Sequence, residues 1–299
     1  MIKGNEAYTP VRAKPGTDWQ LVTYKFMSVV GRIVLYLVIA GGAVIFLMPL
    51  IWMISTSVKP DHQLYNIPII WIPEEFDWQN YVDGWRVLPF PTFYWNTIYI
   101  TILNIIGLVL SSSLVAFGFA RIRFWGRDTI FIILLMTMML PGQVTLIPIY
   151  LFWSKLGLVN TFWPLIIPQW LTNAYNVFLL RQFFMSINTE LDDAARIDGA
   201  SWFRIYWNIL MPLSKPALGV IAIQAFAWNW NNFFDPLIYI NDPKKYTIAI
   251  GLRLFQTQQS QKMAETMAMT LIALIPVLIV FYIAQAKFIQ GIVISGVKG

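Results

Sequence analysis

Six stretches of this 299-residue chain contain no Asp, Glu, Lys or Arg, and each is long enough to cross a bilayer. They run over 33–58, 87–120, 129–154, 156–180, 216–234 and 266–286, the shortest with 19 residues and the longest with 34. A helix needs about 20 mainly apolar residues to cover the hydrocarbon, so each stretch has room for one span. None shows the sustained strand alternation and short turns of a membrane barrel. The pattern predicts an all-α polytopic membrane protein with six transmembrane helices. Pro89, Pro91 and Asn96 open the longest stretch, which places the start of its helix near Tyr94.

Composition sharpens what the chain is not. Charged residues make up 12%, about half the share in soluble globular proteins. No cysteine is present and His62 is the one histidine. Disulfides, iron–sulfur clusters, thiol catalysis and Cys/His metal sites are thereby excluded. The formal charge of +6 invites a nucleic-acid reading, but the 21 basic residues are scattered along the chain between apolar runs rather than gathered in a patch. With the N-terminus placed inside, fourteen of them fall on inner segments and seven on outer ones. That asymmetry predicts two cytoplasmic termini. The chain divides into a polar arm over 1–30, a six-helix domain over 31–288 and a tail over 289–299. The arm lacks a signal peptide's pattern, so the first apolar run is expected to remain as a span.

The fifteen carboxylates lie outside the central portions of the spans. Ion-coupled carriers keep ionisable groups near the bilayer midplane, so a self-powered secondary transporter is a remote alternative. No Walker-type phosphate loop occurs, and no paired carboxylates or triad suggest a hydrolase. Pro49, Pro141, Pro148, Pro164, Pro168 and Pro276 break several spans. Such breaks suit either a bundle lining a water-filled pathway or ordinary kinked packing.

The inner connection from Arg181 to Lys215 carries Glu190, Asp192, Asp193 and Asp198 between two apolar spans. Thr189 and the acids after it suit a helix N-terminus, and Gly199 suits its left-handed stop. Trp202, Phe203, Tyr206, Ile209 and Leu210 then resume at helical spacing before Pro212. On physical grounds alone this is either a docking hairpin or a solvated loop.

The segment resembles the EAA loop of ABC-importer permeases, here over 189–212. That pattern is Glu-Ala-Ala, three residues, Gly, nine residues, Ile, one residue, Leu-Pro. This chain has Asp193-Ala194-Ala195, then Gly199, Ile209 and Met211-Pro212 at the same spacings. Pro49 to Met53 running to Ser57 to Pro60, Ala116 to Arg121, Met139-Leu140-Pro141 with Ile147-Pro148, Gly157 to Thr161, Trp230 to Phe233 with Pro236-Leu237, and the terminal Gly296-Val297-Lys298-Gly299 resemble carbohydrate-importer permeases of the MalG type.

The resemblance implies a type I importer permease in a bacterial or archaeal cell (inner) membrane, moving a sugar or oligosaccharide. An importer for glycerol phosphate or a polyol is the alternative. It implies a second permease, two ABC ATPases that bind ATP and magnesium in its place, and an extracytoplasmic solute-binding protein. The chain itself would hold no cofactor or metal, perform no catalysis and bind no nucleic acid. Asp193, Ala194, Ala195, Arg196, Asp198 and Gly199 are the expected ATPase-coupling residues, with Arg196 a candidate salt-bridge donor. Gly296, Val297, Lys298 and Gly299 are the expected C-terminal ATPase contact, and the outer loop 241–265 is the candidate face for the binding protein. Gln143, Asn229, Asn231 and Asn232 are candidate pathway residues, although such side chains also serve helix packing.

Overall fold

The structure is a computed structural model describing residues 18–258 and 262–296. All regular elements among the described residues are helical. The chain divides into two compact units, one ending at Met53 and one running from Ile54. The first consists of most of α1 (Asp18–Ser57), which begins inside the stretch assigned to the polar arm and contains Pro49.

The second unit is built around α3 (Phe90–Arg121). This helix starts four residues earlier than the sequence suggests. Pro89 is its N-cap and Pro91 lies in its first turn, where the missing N–H has no intrahelical partner to lose. The short α2 (Gln79–Val87) precedes it, and α4 (Arg127–Met136) follows a turn at left-handed Gly126. A 3₁₀ turn extends α4 to Met139. It then bends by 98° into α5 (Gly142–Lys155) at Leu140-Pro141. The run at 156–180 splits into α6 (Trp163–Trp170) and the start of α7 (Ala174–Ser186). Thr172 parts them with φ +77°, a conformation that costs a β-branched residue about 1–3 kcal/mol. Its hydroxyl is held 3.0 Å from that of Ser112.

Next come α8 (Glu190–Ile197), α9 (Trp202–Leu213) and α10 (Lys215–Asn231), with a 76° bend between the last two. The sequence suggests regular spacing up to Pro212. Instead Tyr206–Leu210 is π-helical, and α9 passes through Pro212 before breaking at Ser214. The unit closes with α11 (Phe234–Tyr239), α12 (Ile248–Gln258) and α13 (Met263–Gly296). Among the described residues three helices are long and apolar enough to cross a membrane, or up to five spans if each bent pair counts as one. The remaining run, 156–180, rests on α6 and α7, each too short alone.

Packing explains the central place of α3. One face carries Leu108, Ala116, Phe117 and Phe119 into a core with Val177, Leu180 and Phe184 of α7 and Ile221 and Ala225 of α10. Gly107 lies under the ring of Trp170, and a Cβ there would overlap the indole. Nearer its start, Phe90 and Phe93 pack with Phe255 of α12 and Met269 of α13. The segment 241–265 is thus partly a packed helix rather than a plain outer loop. Asn96 Nδ2 donates to the carbonyls of Lys244 and Tyr246, and the Ile248 N–H donates to Thr97 Oγ1.

Candidate functional site

The α8–α9 hairpin is shaped by its own sequence. The Glu190 N–H is capped by Asn188 Oδ1 at 3.0 Å, while Thr189 makes no side-chain cap. The cap therefore sits one residue before the expected one. Asp192 and Asp193 complete an acidic first turn, favoured by the helix dipole. At the other end the Gly199 N–H donates to Arg196 O and the Ala200 N–H to Ala195 O. This is a Schellman stop with Gly199 at φ +78°. Ser201 Oγ then accepts the Arg204 N–H and caps α9.

Two faces of α8 result. Asp193, Ala194, Arg196, Asp198 and Gly199 are exposed, and Ile197 stands 87% exposed at the tip. Ala195 packs toward the α3–α7 core, and Asp192 is buried. Asp192 Oδ2 lies 2.6 Å from Arg121 Nε, and Arg121 Nη2 donates to Ile187 O at 2.8 Å. Burial pushes the Asp192 carboxyl above the usual range; Arg121 works against this and Asp193 adds to it. Arg196 forms no salt bridge among the described residues. Its guanidinium instead lies 4.9 Å from the Trp202 ring centre, a cation–π contact that bridges the turn. On α9, the Tyr206 hydroxyl meets Ser113 Oγ at 2.8 Å, and Phe117 packs on Trp202 and Tyr206.

The arrangement is an exposed, small-residue hairpin tip fastened to α3 by an ion pair and a hydrogen bond. Sequence reasoning missed the Arg121–Asp192 pair and Asn188. A carboxylate among four and an arginine after an apolar run were visible, but nothing in the spacing joined them.

A second cluster lies at the α10–α11 corner. Asn229 is buried; its Oδ1 accepts from Asn104 Nδ2 and its Nδ2 donates to Ala225 O. Asn232 Nδ2 donates to Asp235 Oδ2 at 2.8 Å, and the Asp235 N–H returns to Asn232 Oδ1. Three cavities of about 180, 660 and 400 Å³ adjoin this corner, and Asp235 lines all three. Asn229, Asn231 and Asn232 are thus brought together. Gln143 lies apart, exposed in the first turn of α5. Gly296 ends α13, whereas Val297, Lys298 and Gly299 lie outside the described residues.

The described residues are all helical, with apolar helices long enough to cross a membrane and a capped polar hairpin. Residues 105–294 match the family described as binding-protein-dependent transport system inner membrane component, and the chain belongs to it. It is 31% identical over 256 residues to YurM of Bacillus subtilis, a probable ABC transporter permease, covering 84% of this chain and 83% of that one. It is also 31% identical over 263 residues to AraQ of Halalkalibacterium halodurans, an arabinooligosaccharide transport permease, covering 86% and 93%. The fold matches a solved bacterial ABC transporter for the acidic polysaccharide alginate with TM-score 0.77 and 24% identity. That match covers 94% of this chain and 100% of the other.

Proposed function

We propose that this chain is a permease subunit of an ATP-driven carbohydrate importer, with six spans and both termini in the cytoplasm. The observation that carries the reading is the α8–α9 hairpin: a helix with Asp193 and Ala194 exposed and Ala195 packed inward ends at left-handed Gly199 and is pinned to α3. ATPase subunits would grip that tip, and their closure would move it with α3. The second permease would complete the pathway beside α10 and α11, and a binding protein would deliver the sugar. The orientation follows from the basic-residue bias, and α6 and α7 together make the span at 156–180. ATP and magnesium belong to the partner ATPases.

The test is uptake of labelled oligosaccharide into proteoliposomes holding the chain with its partner permease, ATPases and binding protein. Uptake should require ATP and all four kinds of subunit. Transport by this chain alone, or driven by an ion gradient without ATP, would overturn the reading.

A further inference from the structure

We infer that the cavities at the α10–α11 corner bind uncharged, hydroxyl-rich solutes and that Asp235 bars anionic ones, so the cargo is a neutral saccharide. The inference rests on the carbohydrate-importer reading and narrows its substrate class.

Asp235 stands where the three cavities meet and is the one formally charged residue lining any of them, among the described residues. No lysine or arginine shares those walls. A carboxylate or phosphate on the solute would therefore meet a negative charge with no cation of this chain beside it. That repulsion strengthens as the solute displaces water. A neutral sugar meets different chemistry. Asp235 can accept two hydroxyl protons, while the neighbouring amides of Asn229 and Asn232 orient the polar wall.

The smallest cavity also has polar groups left over. Trp153 Nε1 and Thr247 Oγ1 are buried without a hydrogen-bond partner among the described residues, and their residues are 5% and 4% exposed. Both residues line that cavity with Asp235. An indole N–H can only donate, whereas the carboxylate can only accept. A hydroxyl, which does both, suits this mixed wall, and a buried group left unpaired carries a cost that such a ligand relieves.

The experiment is saturation-transfer NMR on the assembled permease–ATPase complex in nanodiscs, with the binding protein omitted so that its selectivity plays no part. The probes are a neutral pentose trisaccharide and a galacturonic acid trisaccharide. The wild type should show transfer to the neutral probe and at least about tenfold less to the acidic one. Asp235→Asn should raise transfer to the acidic probe toward the neutral level, and Asp235→Glu should restore the discrimination. Equal transfer to both probes in the wild type, or an Asp235→Asn variant that still discriminates, would overturn the assignment. So would no transfer to either probe from a complex that still imports oligosaccharide. Failure of the importer reading would appear separately, as absence of ATP-driven uptake of any saccharide.

Discussion

Arg121, the last residue of α3, holds Asp192 of α8 across 2.6 Å with both side chains about 95% shielded from solvent. Ion pairs on a surface contribute little, but removing one partner of a buried pair strands the other charge at a cost of about 3–5 kcal/mol. We therefore expect Arg121→Ala to disable transport without preventing insertion. The pair replaced together, Arg121→Met with Asp192→Leu, should be less damaging than Arg121→Ala. Thermal melting of the solubilised complex and sugar uptake check both.

The same pair gives a pH signature. Burial raises the Asp192 carboxyl above its ordinary value, against the pull of Arg121. A carboxyl raised in the fold binds more protons there than when unfolded, so its contribution improves as pH falls and is lost as pH rises through the folded value. Removing Arg121 deletes the charge that opposes the shift and moves the titration further up. Arg121→Ala should consequently regain stability and coupling as the pH is lowered far enough for neutral Asp192 to form. Asp192→Ala should show no such recovery in the same melts.

Gly199 has open space around the position of a Cβ, so the penalty for a side chain there is conformational. For Gly199→Ala it is about 1 kcal/mol, and a β-branched Val costs more. Gly199→Trp should keep the helices inserted yet obstruct docking, so that ATP hydrolysis by the assembled complex no longer responds to sugar-loaded binding protein. Asp193→Lys should uncouple in the same way by reversing charge on the exposed face, and Asp193→Glu should be nearly silent. Normal uptake by both Gly199→Trp and Asp193→Lys would remove the hairpin as the lever.

Because native cysteine is absent, topology can be read with single introduced thiols. Ser201→Cys should react with an impermeant reagent only after the inner face is opened, whereas Gln256→Cys should react from outside. Both positions are exposed. The reverse pattern at either one would invert the orientation.

Gly107 gives a packing test within the helices. Gly107→Val would drive a branched side chain into the Trp170 ring, and overpacking of this kind costs about 1–3 kcal/mol. The melting temperature should fall, and a second change, Trp170→Leu, should recover part of the loss.

What could be read from the sequence follows a physical divide. The hairpin's turn was legible because Gly199, the acidic first turn and the resumed apolar spacing are local signals acting over a few residues. Starts and breaks of helices were less legible. Pro91 counted against a helix start, yet in the first turn it breaks nothing. Pro212 looked like a stop, yet the π-helical turn before it let α9 continue. Arg196 lies on Trp202 across the turn, a contact that the spacing alone did not announce. Long-range partnerships such as Arg121–Asp192 and Asn104–Asn229 leave no periodicity to read.

The bonds along α3 turn it into a stiff rod clamped near both ends. Arg121 fastens one end to the hairpin, while Asn96 and Thr97 fasten the other to the segment around Lys244–Ile248. The axial distance between those clamps is about 38 Å at 1.5 Å per residue, so a tilt of about 10° around the midpoint would swing each end by about 3 Å in opposite directions. The buried clamps leave little slack to absorb such a swing. A pull at the hairpin would reach the far rim as a reversed stroke of similar size, with α3 itself as the beam.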